Sequence, residues 1–182
     1  MRTLLFVAMM AVLAGPVAAQ DAPSATTLRN GLAGSWSGAL GYRDYQSNEL
    51  SEIPVATTIE VVPDGLTQIR RSLFDDGPDK PVWITTVSLD DPVAGTVTSS
   101  SYRSGRPVEL STQTVSVASY VDPTHWSILY ERIGQDGDAD AEIRVTETRD
   151  GDELLEIKEV RPVGSNEAWA YRNQTRLTRV AD

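Results

Sequence analysis

Sulfur-containing and imidazole side chains are scarce in this sequence. Its 182 residues include no cysteine, one histidine (His125) and three methionines, all of them among the first ten positions. Without cysteine the chain forms no disulfide, no thiolate metal site and no thioether-linked haem, and it offers no cysteine for an N-terminal lipid. A single histidine also excludes a metal site built from several imidazoles. These absences remove most of the familiar catalytic and metal-binding designs.

Acidic residues outnumber basic residues in this sequence. The chain has 16 Lys and Arg against 26 Asp and Glu, a net charge of -10 at pH 7 and a pI of about 4.5. A surface of this charge repels phosphate backbones and anionic lipid headgroups, so neither nucleic acid nor an acidic membrane is expected as a partner. The length, with 40% hydrophobic and 23% charged residues, is typical of one globular domain.

The N-terminal segment resembles an export signal. Arg2 supplies a positive start, residues 4–13 form an apolar run, and residues 17–19 (Val-Ala-Ala) place small residues at the cleavage positions. The run is too short to cross the ~30 Å hydrocarbon core of a membrane. We therefore expect residues 1–19 to be a signal peptide, cleaved after Ala19, and the mature protein to be periplasmic or secreted without a membrane anchor.

Residues 20–31 are predicted to be a polar linker with one helical turn, which Thr27 can cap and Gly31 can end. Residues 32–182 are predicted to form a single domain made of strands. Runs of β-branched and aromatic residues recur there between clusters of Asp, Asn, Gly and Pro. The ten strand candidates are 34–44, 51–62, 66–74, 81–89, 96–103, 108–120, 125–133, 141–149, 153–161 and 168–179.

Alternation along these strands predicts one apolar face for each. Trp36, Leu40 and Tyr42 share a face of the first candidate, and Trp126 and Tyr130 share a face of the seventh. Antiparallel pairing around one interior follows, because the connections are too short for helical crossovers. Closure would remove the two exposed edges of a ten-stranded meander. The predicted fold is an all-β, antiparallel up-and-down barrel of about ten strands; the alternative is a two-sheet sandwich.

The opening of the first strand carries a family resemblance. Gly-Ser-Trp-Ser-Gly at 34–38 resembles the Gly-x-Trp signature of lipocalins and related calycin barrels, and the Gly-x-Trp-x-Gly form is similar to nitrobindin-like barrels. Together with segments 42–45, 158–162, 171–173 and 177–179, it resembles a group of exported bacterial proteins of unknown function. The resemblance implies a cup-shaped barrel that holds a small apolar ligand. No histidine stands near the C-terminus, where nitrobindins hold haem, and no cofactor is expected.

The aromatic residues suggest what such a cup could bind. Tryptophan and tyrosine combine an apolar body with a polar tip, which suits a cavity for an amphipathic molecule. The predicted lining residues are Trp36, Tyr42, Trp126, Tyr130, Trp169 and Tyr171. Two function classes stay open: a carrier or sensor of a small apolar or amphipathic molecule, and a non-catalytic envelope interaction module with a packed core, in which the polar tips meet backbone partners.

An acidic stretch resembles a calcium loop in part. Asp136, Asp138 and Asp140 occupy the first, third and fifth ligand positions, and Glu147 occupies the twelfth. Ala141, however, stands where such a loop needs glycine, and a strand after the loop would carry Glu147 away from the ion. The preferred interpretation is an acidic hairpin tip, with no metal site expected.

No catalytic residue is predicted. His125 opposes Trp126 in the alternation and is expected to face solvent, and the 34–38 motif has tryptophan where a nucleophile elbow has serine. An enzyme remains a less favoured third class. Barrel closure would place the start of the first strand against the end of the last, with the Arg179 guanidinium over the Trp36 ring.

Overall fold

The computed structural model describes residues 23–43, 49–78 and 80–181; the predicted signal peptide lies outside them. Within these ranges a short helix precedes ten antiparallel strands that close into one barrel. The elements are α1 (Ala25–Asn30), β1 (Gly34–Arg43), β2 (Leu50–Val61), β3 (Thr67–Asp75), β4 (Pro81–Asp91), β5 (Thr96–Arg103), β6 (Glu109–Asp122), β7 (His125–Asp136), β8 (Ala139–Asp150), β9 (Glu153–Pro162) and β10 (Ala170–Arg179).

Each strand pairs with its neighbours in sequence, and β1 closes the barrel on β10. The closing register sets Trp36 opposite Arg179 and Gly38 opposite Leu177. Every observed strand overlaps its predicted candidate. The prediction of an up-and-down barrel is therefore confirmed, and the two-sheet alternative is wrong because no pair of neighbouring strands is left unpaired.

Helix α1 covers one end of the barrel, which we call the helix end. Its N-cap is Ser24, three residues before the predicted cap Thr27, and the Ser24 Oγ accepts the Thr27 N–H at 3.1 Å. Gly31 ends it, as predicted. Leu28 and Leu32 are fully buried there against the core around Trp36.

Three side chains of the barrel fasten the segment after α1. The Trp36 indole N–H donates to the Leu32 carbonyl at 2.8 Å, and Arg149 Nη1 donates to the Gly31 carbonyl at 2.9 Å. Arg179 Nη2 donates to the Ala33 carbonyl at 2.6 Å. These bonds fix the segment between α1 and β1 to side chains of β1, β8 and β10.

Gly38 explains why the opening motif ends in glycine. A Cβ at this position would lie 2.0 Å from the Arg176 carbonyl oxygen of β10. The two closing strands therefore approach too closely for any side chain here.

No helix among the described residues is long and apolar enough to cross a membrane.

Candidate functional site

On part of their inner faces, β3 to β6 carry neighbouring polar side chains. They line a partly open cavity of about 320 Å³, which we call the polar chamber. Its uncharged polar lining is Gln68, Thr86, Ser88, Ser99, Ser101, Ser111 and Gln113. A barrel interior of this kind offers many hydrogen-bond donors and acceptors to a polar group.

A second cavity of about 160 Å³ adjoins the first and is more apolar; we call it the apolar chamber. Its hydrocarbon lining is Val55, Phe74, Ile84, Leu154 and Leu177, and the hydroxyl side chains of Thr57, Ser72 and Thr175 also line it. Arg70, Thr86 and Glu156 line both chambers, so the two cavities meet at these three side chains. The interior therefore presents two adjoining environments of different polarity.

An ion cluster marks the boundary between the chambers. Arg70 Nη2 donates to Glu147 Oε1 at 2.8 Å, and Arg70 Nη1 donates to Glu156 Oε2 at 3.0 Å. The Tyr130 hydroxyl donates to the other Glu147 oxygen, Oε2, at 2.8 Å. Both oxygens of Glu147 are thus engaged within the protein, and one guanidinium serves two carboxylates.

Burial and charge together set the protonation of this cluster. Burial opposes the charge on Arg70, but the carboxylates of Glu147 and Glu156 outweigh it and raise the Arg70 pKa. Burial raises the pKa of Glu156, the Arg70 guanidinium opposes this rise, and the Glu147 carboxylate adds to it. Burial, and then Glu147, raises the Tyr130 pKa well above its usual value. Arg70 is therefore held as a cation.

Two further cations line the polar chamber, Arg132 from β7 and Lys158 from β9. Both side chains are half-buried. Within the described ranges, neither has a carboxylate oxygen within 4.0 Å, unlike Arg70. Lys158 is within electrostatic range of Asp136, whose pKa is lowered first by its hydrogen bond to Arg172 and more weakly by Lys158. The direct partner of Asp136 is Arg172.

A buried ion pair joins α1 to the wall of the polar chamber. Arg29 projects from α1 and pairs with Asp90, with side chains only 8% and 2% exposed. Its Nη2 also donates to Ser88 Oγ at 3.0 Å, and Gln68 Nε2 donates to the Arg29 carbonyl at 3.1 Å. Asp90 Oδ1 accepts no hydrogen bond from the described residues. The helix thereby fixes two chamber-lining side chains.

The six predicted lining residues fall in three environments. Tyr130 lines the polar chamber, and Tyr42 is 39% exposed near the end opposite α1. Trp36 and Trp126 belong to the packed core instead, and their indole N–H groups donate to backbone carbonyls of Leu32 and Pro123. For these two tryptophans the packed-core alternative describes the structure.

Trp169 and Tyr171 lie on the outer face, so their predicted inward placement is wrong. The register of β10 on β9 shifts between Tyr171 and Asn173, and this irregularity reverses the alternation. Trp169 is stacked between the guanidinium carbons of Arg144 and Arg161, which lie 4.3 and 4.5 Å from its ring centroid.

The acidic stretch forms the hairpin between β7 and β8. Asp136 pairs with Arg172, whose Nη2 lies 2.6 Å from its carboxylate, and Gln135 donates to Asp140. Asp138 lies in the tight turn itself. No group of three candidate metal ligands occurs in the part of the chain described.

The barrel-closure pair and the histidine lie near the helix end. The Arg179 guanidinium carbon is 5.3 Å from the Trp36 ring centroid, within cation–π range. His125 is partly exposed, with Nδ1 2.8 Å from Asp122 and Nε2 3.3 Å from Asp150. It touches neither chamber.

Sequence reasoning missed the ion cluster and the cations Arg132 and Lys158. The sequence did contain a signal for the two glutamates of the cluster. Glu147 follows Ile143 and Val145 at the two-residue period of an inner face, and Glu156 follows Leu154 in the same way. A charged residue in phase with an apolar face is a candidate for the interior of a barrel.

Fold and interior together define a calycin-like, ten-stranded β-barrel. A solved structure agrees with it in fold. The crystal structure of Rv2717c from M. tuberculosis matches with a TM-score of 0.56 and 20% identity, over 87% of this chain and 100% of that one. A DUF3598-family protein of unknown function from Nostoc punctiforme matches with a TM-score of 0.28 and 9% identity, over 87% and 100%. No protein-family model and no curated protein matches the chain.

Proposed function

We propose that this barrel binds a small amphipathic molecule inside. The polar part occupies the polar chamber and the hydrocarbon part occupies the apolar chamber. The observation that carries the proposal is the contact between the two chambers at Arg70, Thr86 and Glu156. A ligand with one polar and one apolar end matches such a pair of environments without leaving buried polar groups unpaired.

The size of the cavities limits the ligand. Small-molecule sites have volumes of roughly 300–1,000 Å³, and the polar chamber lies near the lower bound at about 320 Å³. The apolar chamber adds about 160 Å³. A molecule with a compact head group and a short to medium hydrocarbon chain fits this interior.

The alternative, an interaction module with a packed core, finds less support. It requires an interior filled by side chains, whereas two cavities lie between β2, β3, β4 and the opposite wall of the barrel. The support for the acidic outer face that such a module would use is the excess of Asp and Glu in the sequence.

A blocking substitution tests the proposal. Thr86 lines both chambers, so Thr86→Phe is expected to fill their junction. Thr85→Phe is the matched control, because Thr85 is the next residue on β4 and points to the outer face, opposite Tyr102. Both proteins are purified from the native host beside the wild type and weighed by native mass spectrometry.

Wild type and Thr85→Phe are expected to retain a small molecule that Thr86→Phe has lost. Equal retention by both variants, or a wild type that retains nothing and binds none of the amphipathic probes named below, contradicts the proposal.

We further propose that the protein acts outside the cytoplasm. The support is the sequence of residues 1–19, with its apolar run and small residues before Gln20. N-terminal sequencing of the exported form is expected to start at or within a few residues of Gln20. A mature protein that begins at Met1 contradicts export with cleavage.

A further inference from the structure

We infer that the head group of the bound molecule is an oxyanion, held by Arg132 and Lys158. This inference rests on the proposed function and names the chemistry of its polar half. A carboxylate and a phosphate monoester both present the required oxygens, and the experiment below includes each.

The charges within the polar chamber favour an anion. Arg70 is shared by Glu147 and Glu156, at 2.8 and 3.0 Å, so the carboxyl groups of this cluster are already paired with a cation. Arg132 and Lys158 add two positive charges that have no carboxylate within 4.0 Å in the described ranges. An incoming oxyanion would meet two cations that form no direct ion pair with a described carboxylate, since Asp136, which Lys158 influences at longer range, pairs with Arg172.

The carboxylates of the chamber are poorly placed to receive a cationic ligand. Glu147 uses one oxygen for Arg70 and the other for the Tyr130 hydroxyl. Glu156 uses Oε2 for Arg70. A bound cation would compete with these bonds and meet the repulsion of three basic side chains, whereas an anion leaves the bonds intact.

Neutral donors around the cations complete an anion site. Ser99, Ser101, Ser111 and Gln113 line the same chamber from β5 and β6. Hydroxyl and amide N–H groups donate to oxyanions, and a hydrogen bond with one ionised partner is about twice as strong as a neutral one. The chamber therefore combines two charged donors with several uncharged ones.

Gly134 makes room for Arg132 to reach its position. A Cβ at Gly134 would lie 2.0 Å from Arg132 Nη1 and 3.1 Å from its Cζ. The guanidinium thus lies against the glycine, two residues further along the inner face of β7. Gly134→Ala is expected to displace the guanidinium at small cost in stability, because the clash involves the end of a flexible side chain.

The experiment compares three probes that share one hydrocarbon chain: decanoate, decyl phosphate and decanol. Their Kd values are measured by isothermal titration calorimetry on the wild type and on Lys158→Met and Arg132→Met. Arg71→Met is the matched control, because Arg71 is a neighbour of Arg70 on β3 but pairs with Glu60 on the outer face at 2.9 Å.

Decanoate and decyl phosphate are expected to bind the wild type about tenfold or more tightly than decanol. Each of Lys158→Met and Arg132→Met is expected to weaken the two anions by about tenfold, with decanol unchanged. Gly134→Ala should weaken the anions in the same direction, and Arg71→Met should leave all three affinities unchanged.

Equal affinities for decanol and the two anions, or anion affinities that survive both methionine substitutions, overturn the anion assignment. In that case, decanol binding that Thr86→Phe abolishes shows that the proposed function itself stands. Failure of the wild type to bind any of the three probes overturns both.

Discussion

Removing the cation that joins α1 to the barrel should destabilise the fold strongly. Arg29 contacts Asp90 with both side chains nearly inaccessible, 8% and 2% exposed, and it also donates to Ser88 at 3.0 Å. Arg29→Met leaves the Asp90 carboxylate buried without a cation. Breaking a buried pair in this way costs about 3–5 kcal/mol. For a domain of this size, such a loss lowers Tm by roughly 6–20 °C.

Urea denaturation followed by tryptophan fluorescence measures the loss, since Trp36 and Trp126 are buried in the core near α1. Arg71→Met is the control, because its pair with Glu60 is 45% and 56% exposed and is worth only about 0–1 kcal/mol. A double variant, Arg29→Met with Asp90→Leu, should recover much of the stability. If Arg29→Met loses no more than Arg71→Met, the argument that the buried ion pair anchors the helix is refuted.

Three further predictions concern the closing strands and the acid limit of stability. Gly38→Ala should cost about 1–3 kcal/mol or more in the free energy of unfolding, because a methyl group would overlap the β10 backbone; an unchanged urea midpoint would show that the strands can separate freely. Arg179→Ala and Trp36→Leu should show a coupling of about 0.5–1 kcal/mol in a double-mutant cycle, and zero coupling would exclude a stabilising stack. The His125 side chain, with the Thr124 backbone and hydroxyl, lowers the Asp122 pKa to about 2. Asp122 therefore stabilises the fold above its unfolded pKa of about 3.9, and this contribution is lost as pH falls toward 2. In this acid range, the Tm of Asp122→Asn should fall less steeply with pH than the Tm of the wild type. Parallel curves of Tm against pH for the two proteins would contradict this.

The barrel could be predicted from the sequence because neighbouring residues determine each of its strands and turns. Each strand alternates along its own length, and each turn carries its own Gly, Asp or Pro, as at Asp150-Gly151. Short connections then leave a meander as the simplest topology. Local sequence does not decide the start of α1 between Ser24 and Thr27, since both are residues that cap helices.

The interior could not be predicted to the same extent because its contacts join residues that are far apart in the sequence. Arg70 meets Glu147 and Glu156 across 77 and 86 positions of sequence, and only the closed barrel brings them together. A single register shift between Tyr171 and Asn173 was enough to move Tyr171 to the outside. Strand alternation identifies the residues that share a face, but one irregularity exchanges the faces beyond it.

The central claim is that the two chambers hold the two halves of one amphipathic molecule. Decanoate brominated at its terminal carbon tests this most directly, since the anomalous signal of bromine in a crystal of the complex locates the tail. The account predicts bromine in the apolar chamber, against Phe74 and Ile84, with the carboxylate on the side of Arg132 and Lys158. Bromine on the outer surface of the barrel, or in the polar chamber, would contradict it.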